Sequence, residues 1–124
     1  KEDFETIASK YWPGALTIVI PSSETHNSIL TSNDLTLGLR IPNSYMAQSL
    51  MKETGPLLTS SANISGFKGS ITAEGIALDF PSVKILGPIP WGKSSGKAST
   101  IIFWKKSGDW RLIREGEVLV RELY

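Results

Sequence analysis

Two hydrophobic periods alternate along this 124-residue chain, with proline and glycine marking the changes between them. Phe4, Ile7, Ala8 and Tyr11 recur at helical spacing, so residues 2–11 are expected to form an amphipathic helix. Pro13-Gly14 stops it, and Ala15 to Ile20 is a short apolar, β-branched run of strand character. Pro21 to Asp34 is polar and reads as a surface loop. Leu35 to Ile41 alternates strictly: Leu35, Leu37, Leu39 and Ile41 point to one face, expected to be core, and Thr36, Gly38 and Arg40 to the other. Asn43 can cap a helix reaching about Thr54, with Gly55 as its stop and Pro56 beyond. Leu57 to Thr59 reads as a brief buried strand, Thr72 as the cap of a short helix to about Phe80, and Val83 to Leu86 as another strand. Thr100 to Trp104 and Trp110 to Ile113 flank a hairpin with Gly108-Asp109 at its tip. The tail from Glu117 to Tyr124 is expected to add a helical turn or two. Strands interleaved with helices, plus one hairpin, predict a single α/β domain over residues 1–124 with a mixed sheet.

Composition removes several function classes. The chain has no cysteine and one histidine, which excludes a disulfide scaffold, a zinc-thiolate site and a transition-metal cluster. No apolar run approaches the roughly 18 residues of a membrane span. The opening Lys-Glu-Asp-Phe has neither a basic and apolar leader nor an initiator Met, so the expectation is a cytoplasmic piece of a longer chain. Net charge is +1, yet residues 1–83 carry five basic and eight acidic side chains, and residues 84–124 carry eight and four. A basic tail behind an acidic front can put a positive wall beside a cleft.

Two motif matches fail on chemistry. Gly87 to Ser94 spells a phosphate loop, but Pro88 and Pro90 have no N–H to point at phosphates, and no helix is expected after Lys93. There is no Gly-x-Ser-x-Gly elbow, and His26 sits in a polar loop without a partner motif, so no hydrolase triad is expected. Three candidates survive. Thr36 and Arg40 share a strand face about 13 Å apart, with Gly38 leaving an open floor between them that could seat an anion. Thr59 to Gly66 is a run of small hydroxyl residues suited to phosphate or nucleotide. Ser99-Thr100 enters one strand of the hairpin as Arg114 leaves the other.

Together these segments resemble the threonylcarbamoyl-AMP synthase family, the YrdC-like proteins of tRNA modification. The motifs that carry the resemblance are Tyr11-Trp12-Pro13-Gly14-Ala15-Leu16-Thr17, Leu37 to Pro42, Pro56 to Gly66, Ser99-Thr100-Ile101-Ile102 and Leu112 to Gly116. The resemblance implies a twisted mixed β-sheet with flanking helices, YrdC-like, around a positively charged cavity. It also implies that the N-terminal part of the family domain, about 80 residues with a Lys/Arg element for the triphosphate, is missing here.

The implied activity is a nucleotidyltransferase that makes threonylcarbamoyl-AMP from L-threonine, bicarbonate and ATP, with Mg2+ riding on the nucleotide. The resemblance assigns Arg40 and Ser99 to L-threonine. It assigns Thr36, Thr59, Ser61, Ser70 and Arg114 to ATP, Ser70 lying one residue beyond the family spacing from Asn63. No catalytic nucleophile and no protein metal ligand are implied. The partners implied are tRNA-modification proteins, with tRNA or double-stranded RNA as a further ligand and no membrane. The alternative is a non-catalytic YrdC-like module that binds nucleotide or RNA. If Gly87–Ser94 is not a phosphate loop, Lys93→Ala leaves ATP affinity within about a factor of three, measured by calorimetry, and a hundredfold loss would reinstate the motif.

Overall fold

Helix α1 (Glu2–Tyr11) ends at Trp12-Pro13, whose peptide bond is cis, and strand β1 (Leu16–Pro21) follows. Further along come β2 (Thr36–Leu39), α2 (Tyr45–Thr54), α3 (Ala73–Asp79), β3 (Thr100–Lys106), β4 (Asp109–Arg114) and a 3-10 turn at Arg121–Leu123. The structure, a computed structural model, describes residues 2–22, 35–87 and 94–123. His26, most of the Pro21–Asp34 loop and the interior of the Gly87–Ser94 motif lie outside the described residues.

The chain divides into two compact units, one of residues 1–48 and 97–124, the other of residues 49–96. In the first, four strands form a mixed sheet in the order β2-β1-β3-β4. β1 runs antiparallel to β2 and parallel to β3, and β3–β4 is an antiparallel hairpin. One face of this sheet is core. Leu16, Ile18 and Ile102 are fully buried there with Ile7 from α1 and Val120 from the tail. The other face, with Thr17, Val19, Ile101 and Phe103, is only half-buried. Alternation in β1 and β3 thus splits one apolar layer from one mixed layer.

The second unit holds α3, capped by Thr72, whose hydroxyl accepts from the Gly75 N–H at 3.1 Å. Its start is fitted closely: a Cβ on Gly75 would run into the Ser70 hydroxyl.

Several expectations need correction. The leucine face of Leu35–Ile41 is not core, because β2 is a four-residue edge strand with one neighbour. Leu35 sits at φ 52° before the extended stretch begins, Leu37 and Leu39 are half-buried, and Ile41 is exposed. Leu57–Thr59 and Val83–Leu86 are irregular and, apart from half-buried Ile85, exposed, with no ladder partner among the described residues. The cap of α2 is Ser44 rather than Asn43, its hydroxyl accepting from Ala47 N–H at 3.4 Å. Gly55, at φ 76°, closes that helix as expected. In the hairpin the turn is Ser107-Gly108, and Asp109 already pairs with Lys106.

That turn is tied to α1 through Asp3. Its carboxylate accepts from Ser107 Oγ at 2.9 Å, Gly108 N–H at 2.8 Å, Trp110 Nε1 at 2.9 Å and Phe4 N–H at 2.8 Å. Phe4 packs edge-on against Trp104 and Trp12, at ring separations of 5.3 and 6.1 Å. Partial desolvation opposes the charged form of Asp3, but the four hydrogen bonds outweigh it and hold the carboxyl well below the usual carboxylate range. A depressed folded value means the stabilisation is present above the unfolded value of 3.8 and is lost as the pH falls below it. Asp3→Asn is expected to lower the melting temperature at neutral pH and to flatten its decline below about pH 4. Melting curves from neutral pH to about pH 3 check this, and parallel declines in the two proteins would contradict it.

Candidate functional site

The half-buried face of the sheet gathers three of the seven expected site residues, Arg40, Ser99 and Arg114, at one end. Gly38 lies opposite Val19 in the β1–β2 ladder, and a Cβ added to it would sit 3.6 Å from the Thr17 methyl. Thr36, Gly38 and Arg40 therefore share a face with Thr17, as their alternation predicts. Ile101 pairs with Thr17 on one side and Arg114 on the other, which puts Ser99 and Arg114 on that face too. Arg40 and Ser99 lie one residue outside their strands, and Arg114 is the last residue of β4. Arg40, Thr17, Ser99 and Arg114 thus cluster where β1 and β3 begin and β2 and β4 end. Thr36 is at the far end of β2, opposite Pro21.

Hydrogen bonds lock this corner. Arg40 Nε donates to Gly14 O at 2.9 Å, and Gly14 N–H donates to Ile41 O at 2.8 Å. The Trp-Pro-Gly turn is thus clamped to the end of β2. Gly14 is required there, because a Cβ would strike the Tyr11 carbonyl. Among the described residues neither terminal nitrogen of Arg40 has a partner, so its outer edge is available to an anion. Arg114 folds over Ser99, with Nε and Nη2 donating to Ser99 O at 3.2 and 2.8 Å and Nη2 reaching Ser99 Oγ at 3.3 Å. Ser99 Oγ also lies 2.9 Å from Thr17 Oγ1. Neither guanidinium is paired with a carboxylate among the described residues.

The remaining expected residues belong to the second unit. Thr59 and Ser61 are exposed on the irregular segment before Gly66. Ser70 Oγ accepts from Thr72 N–H at 3.3 Å and donates to Thr72 O at 3.4 Å. No cluster of three or more histidine, cysteine or acidic side chains is found among the described residues. Thr17 closes the Trp-Pro-Gly-Ala-Leu-Thr motif, with no site role legible from the sequence. Its position between Leu16 and Ile18 signals an outward side chain, whereas its contact with Ser99, 82 residues away, has no local signal.

The Sua5/YciO/YrdC family model, described as telomere recombination, matches residues 1–116. A threonylcarbamoyl-AMP synthase of Pyrococcus abyssi is 36% identical over 80 residues, covering 64% of this chain and 24% of its own length. The Bacillus subtilis threonylcarbamoyl-AMP synthase is 32% identical over 104 residues, covering 82% of this chain and 30% of its own length. Among solved structures, P. abyssi Sua5 complexed with L-threonine matches with a TM-score of 0.80 at 30% identity, covering 99% of this chain and 36% of that one. The chain spans less than a third of the length of these two synthases. The expected mixed sheet with flanking helices is thus the fold observed.

Ser99 is held from below as well. A Cβ on Gly116 would collide with Ala98 O, Ser99 C and Thr100 N, and Glu117 N–H donates to Ala98 O at 2.9 Å. Gly116→Ala must push the Ala98–Thr100 backbone aside. It is expected to cost about 1–3 kcal/mol in urea unfolding, the usual range for overpacking, and an unchanged midpoint would show that the segment yields freely.

Proposed function

Because the chain belongs to the Sua5/YciO/YrdC family, we propose that it supplies one wall of a threonylcarbamoyl-AMP synthase site. The reaction joins L-threonine, bicarbonate and ATP and releases pyrophosphate and water. We read residues 1–124 as one YrdC-like domain whose site needs further segments of the family domain. The observation that carries this reading is a guanidinium, Arg40, whose outer edge has no partner among the described residues, on the same sheet face as the Thr17–Ser99–Arg114 cluster.

In this reading the Arg40 terminal nitrogens take the threonine carboxylate, and the Ser99 hydroxyl binds a second polar atom of the amino acid. Arg114 offsets phosphate charge, and the Thr36 hydroxyl orients ATP oxygens without adding charge, the role that the family resemblance also gives Thr59, Ser61 and Ser70. The threonine amine takes up the bicarbonate carbon as a carbamate with loss of water, and a carbamate oxygen then attacks the α-phosphorus. The new bond is O–P, and the bond to pyrophosphate breaks. Positioning and cations do this work, and no protein nucleophile is needed. Magnesium takes oxygen ligands and keeps most of its waters. The hydroxyls and guanidiniums of this face would meet a hydrated magnesium ion and the phosphates that carry it through oxygen donors and positive charge.

A cytoplasmic location and work alongside tRNA-modification proteins go with this reading. Among the described residues no helix is long and apolar enough to cross a membrane.

The test uses the full translated product of the gene, assayed for threonine-dependent pyrophosphate release from ATP with magnesium and bicarbonate. Arg40→Ala is expected to weaken threonine binding by about 1.5–3 kcal/mol, the value of a charge-assisted hydrogen bond, with little change in melting temperature. The 124 residues alone are expected to give no detectable turnover, because cations for the departing pyrophosphate are too few. Unchanged threonine affinity in the variant would remove Arg40 from the site. A full product that binds RNA in a salt-sensitive way but shows no threonine-dependent chemistry would replace the synthase by a binding module.

A further inference from the structure

The Thr17–Ser99 contact has a property that neither residue has alone. Two hydroxyls bring two O–H hydrogens, and one is spent between them across 2.9 Å. Arg114 Nη2 donates into Ser99 Oγ from the other side, so that oxygen already accepts a bond. Whichever hydroxyl donates to the other, the pair retains one O–H hydrogen with no partner inside it. The pair therefore keeps one O–H to donate, suited to a carboxylate or phosphoryl oxygen.

Both ends of the pair are fixed. Thr17 is β-branched within β1, where its χ1 is restricted, and its methyl faces the open floor at Gly38. Ser99 lies in irregular backbone just before β3, and its backbone carbonyl is gripped by Arg114. A serine rotor in a loop is ordinarily free among three staggered positions. Here its orientation is set by a rigid strand residue brought alongside by the parallel β1–β3 pairing.

We propose that Thr17 is a positioning residue of the site: its hydroxyl fixes the Ser99 side chain so that the pair directs one O–H donor at the amino-acid ligand. The assignment rests on the proposed synthase site, with Ser99 on threonine. Thr17→Val keeps the shape and removes the hydroxyl, whereas Thr17→Ser keeps the hydroxyl.

The experiment uses the full translated product. Thr17→Val is expected to raise the threonine KM about tenfold, with kcat and ATP affinity changed by less than about twofold, and Thr17→Ser to return the KM to within about threefold of the parent. In a Ser99→Ala background Thr17→Val is expected to add less than about twofold, because the partner it positions is gone. A threonine KM within about twofold of the parent, no rescue by serine, or additive losses would each overturn the proposal.

A second measurement needs no ligand. In the free protein, the Ser99 Hα–Hβ couplings should report one rotamer in the parent and averaging in Thr17→Val, and a single rotamer in both overturns the proposal. If the parent binds no threonine at all, the synthase reading fails. The couplings then decide the positioning role by themselves.

Discussion

The parallel pairing of β1 with β3 is the contact on which the rest of the first unit depends. It aligns Leu16 with Thr100 and Ile18 with Ile102, and so fills the centre of the core with residues more than 80 positions apart. The same ladder, read on its other face, brings Thr17 to Ser99. Core and site are therefore two sides of one register. A one-residue slip would carry the hydroxyls into the apolar layer and the isoleucines out of it. Thr100, buried among those isoleucines, is tolerated because its hydroxyl exchanges hydrogen bonds with the Val118 backbone. That exchange also holds the tail, whose Val120 closes the core.

Two short backbone approaches aim the two arginines. Gly14 lets the Trp-Pro-Gly turn lie against the end of β2, and its carbonyl takes Arg40 Nε. Gly116 lets the segment after Arg114 approach the Ala98–Thr100 backbone, and Ser99 O takes the Arg114 guanidinium. In both cases a carbonyl satisfies the inner edge of a guanidinium, which leaves an oriented cation instead of a free surface side chain. The glycines act through geometry, because any Cβ at either position meets backbone. The Lys10–Glu122 ion pair and the Tyr11 hydroxyl bond to Glu122 join α1 to the 3-10 turn at a half-exposed edge. They seal the α1 side of the core rather than shape the site.

The misread segments have a common cause. Leu57-Leu58-Thr59 and Val83–Leu86 carry strand composition, but a strand exists only when a neighbour accepts its hydrogen bonds, and no neighbour is described for either. The leucine alternation of β2 specifies sidedness and not depth. At an edge with one neighbour, the same alternation gives half-buried leucines. Caps and turns slipped by one residue where two adjacent residues were both suitable: Asn43 beside Ser44, and Asp109 beside Gly108. The choice between such neighbours is made by the packing of the segments they join.

The amino-acid sequence by itself determined the helix–turn–strand opening, the hairpin, the capped helix at Thr72 and the sidedness of Thr36, Gly38 and Arg40. All of these depend on period, capping chemistry and local backbone preference within about ten residues. It also determined the family, because ordered motifs such as Trp-Pro-Gly and Ser-Ala-Asn-x-Ser-Gly survive as text. Tertiary structure alone decided that Thr17 meets Ser99, that Arg40 is held by Gly14, and that the cluster stands where the parallel strands begin. Those facts follow from which strands pair and in what register. A chain encodes that choice only through the burial of the whole apolar layer, a sum over distant residues that no local window contains.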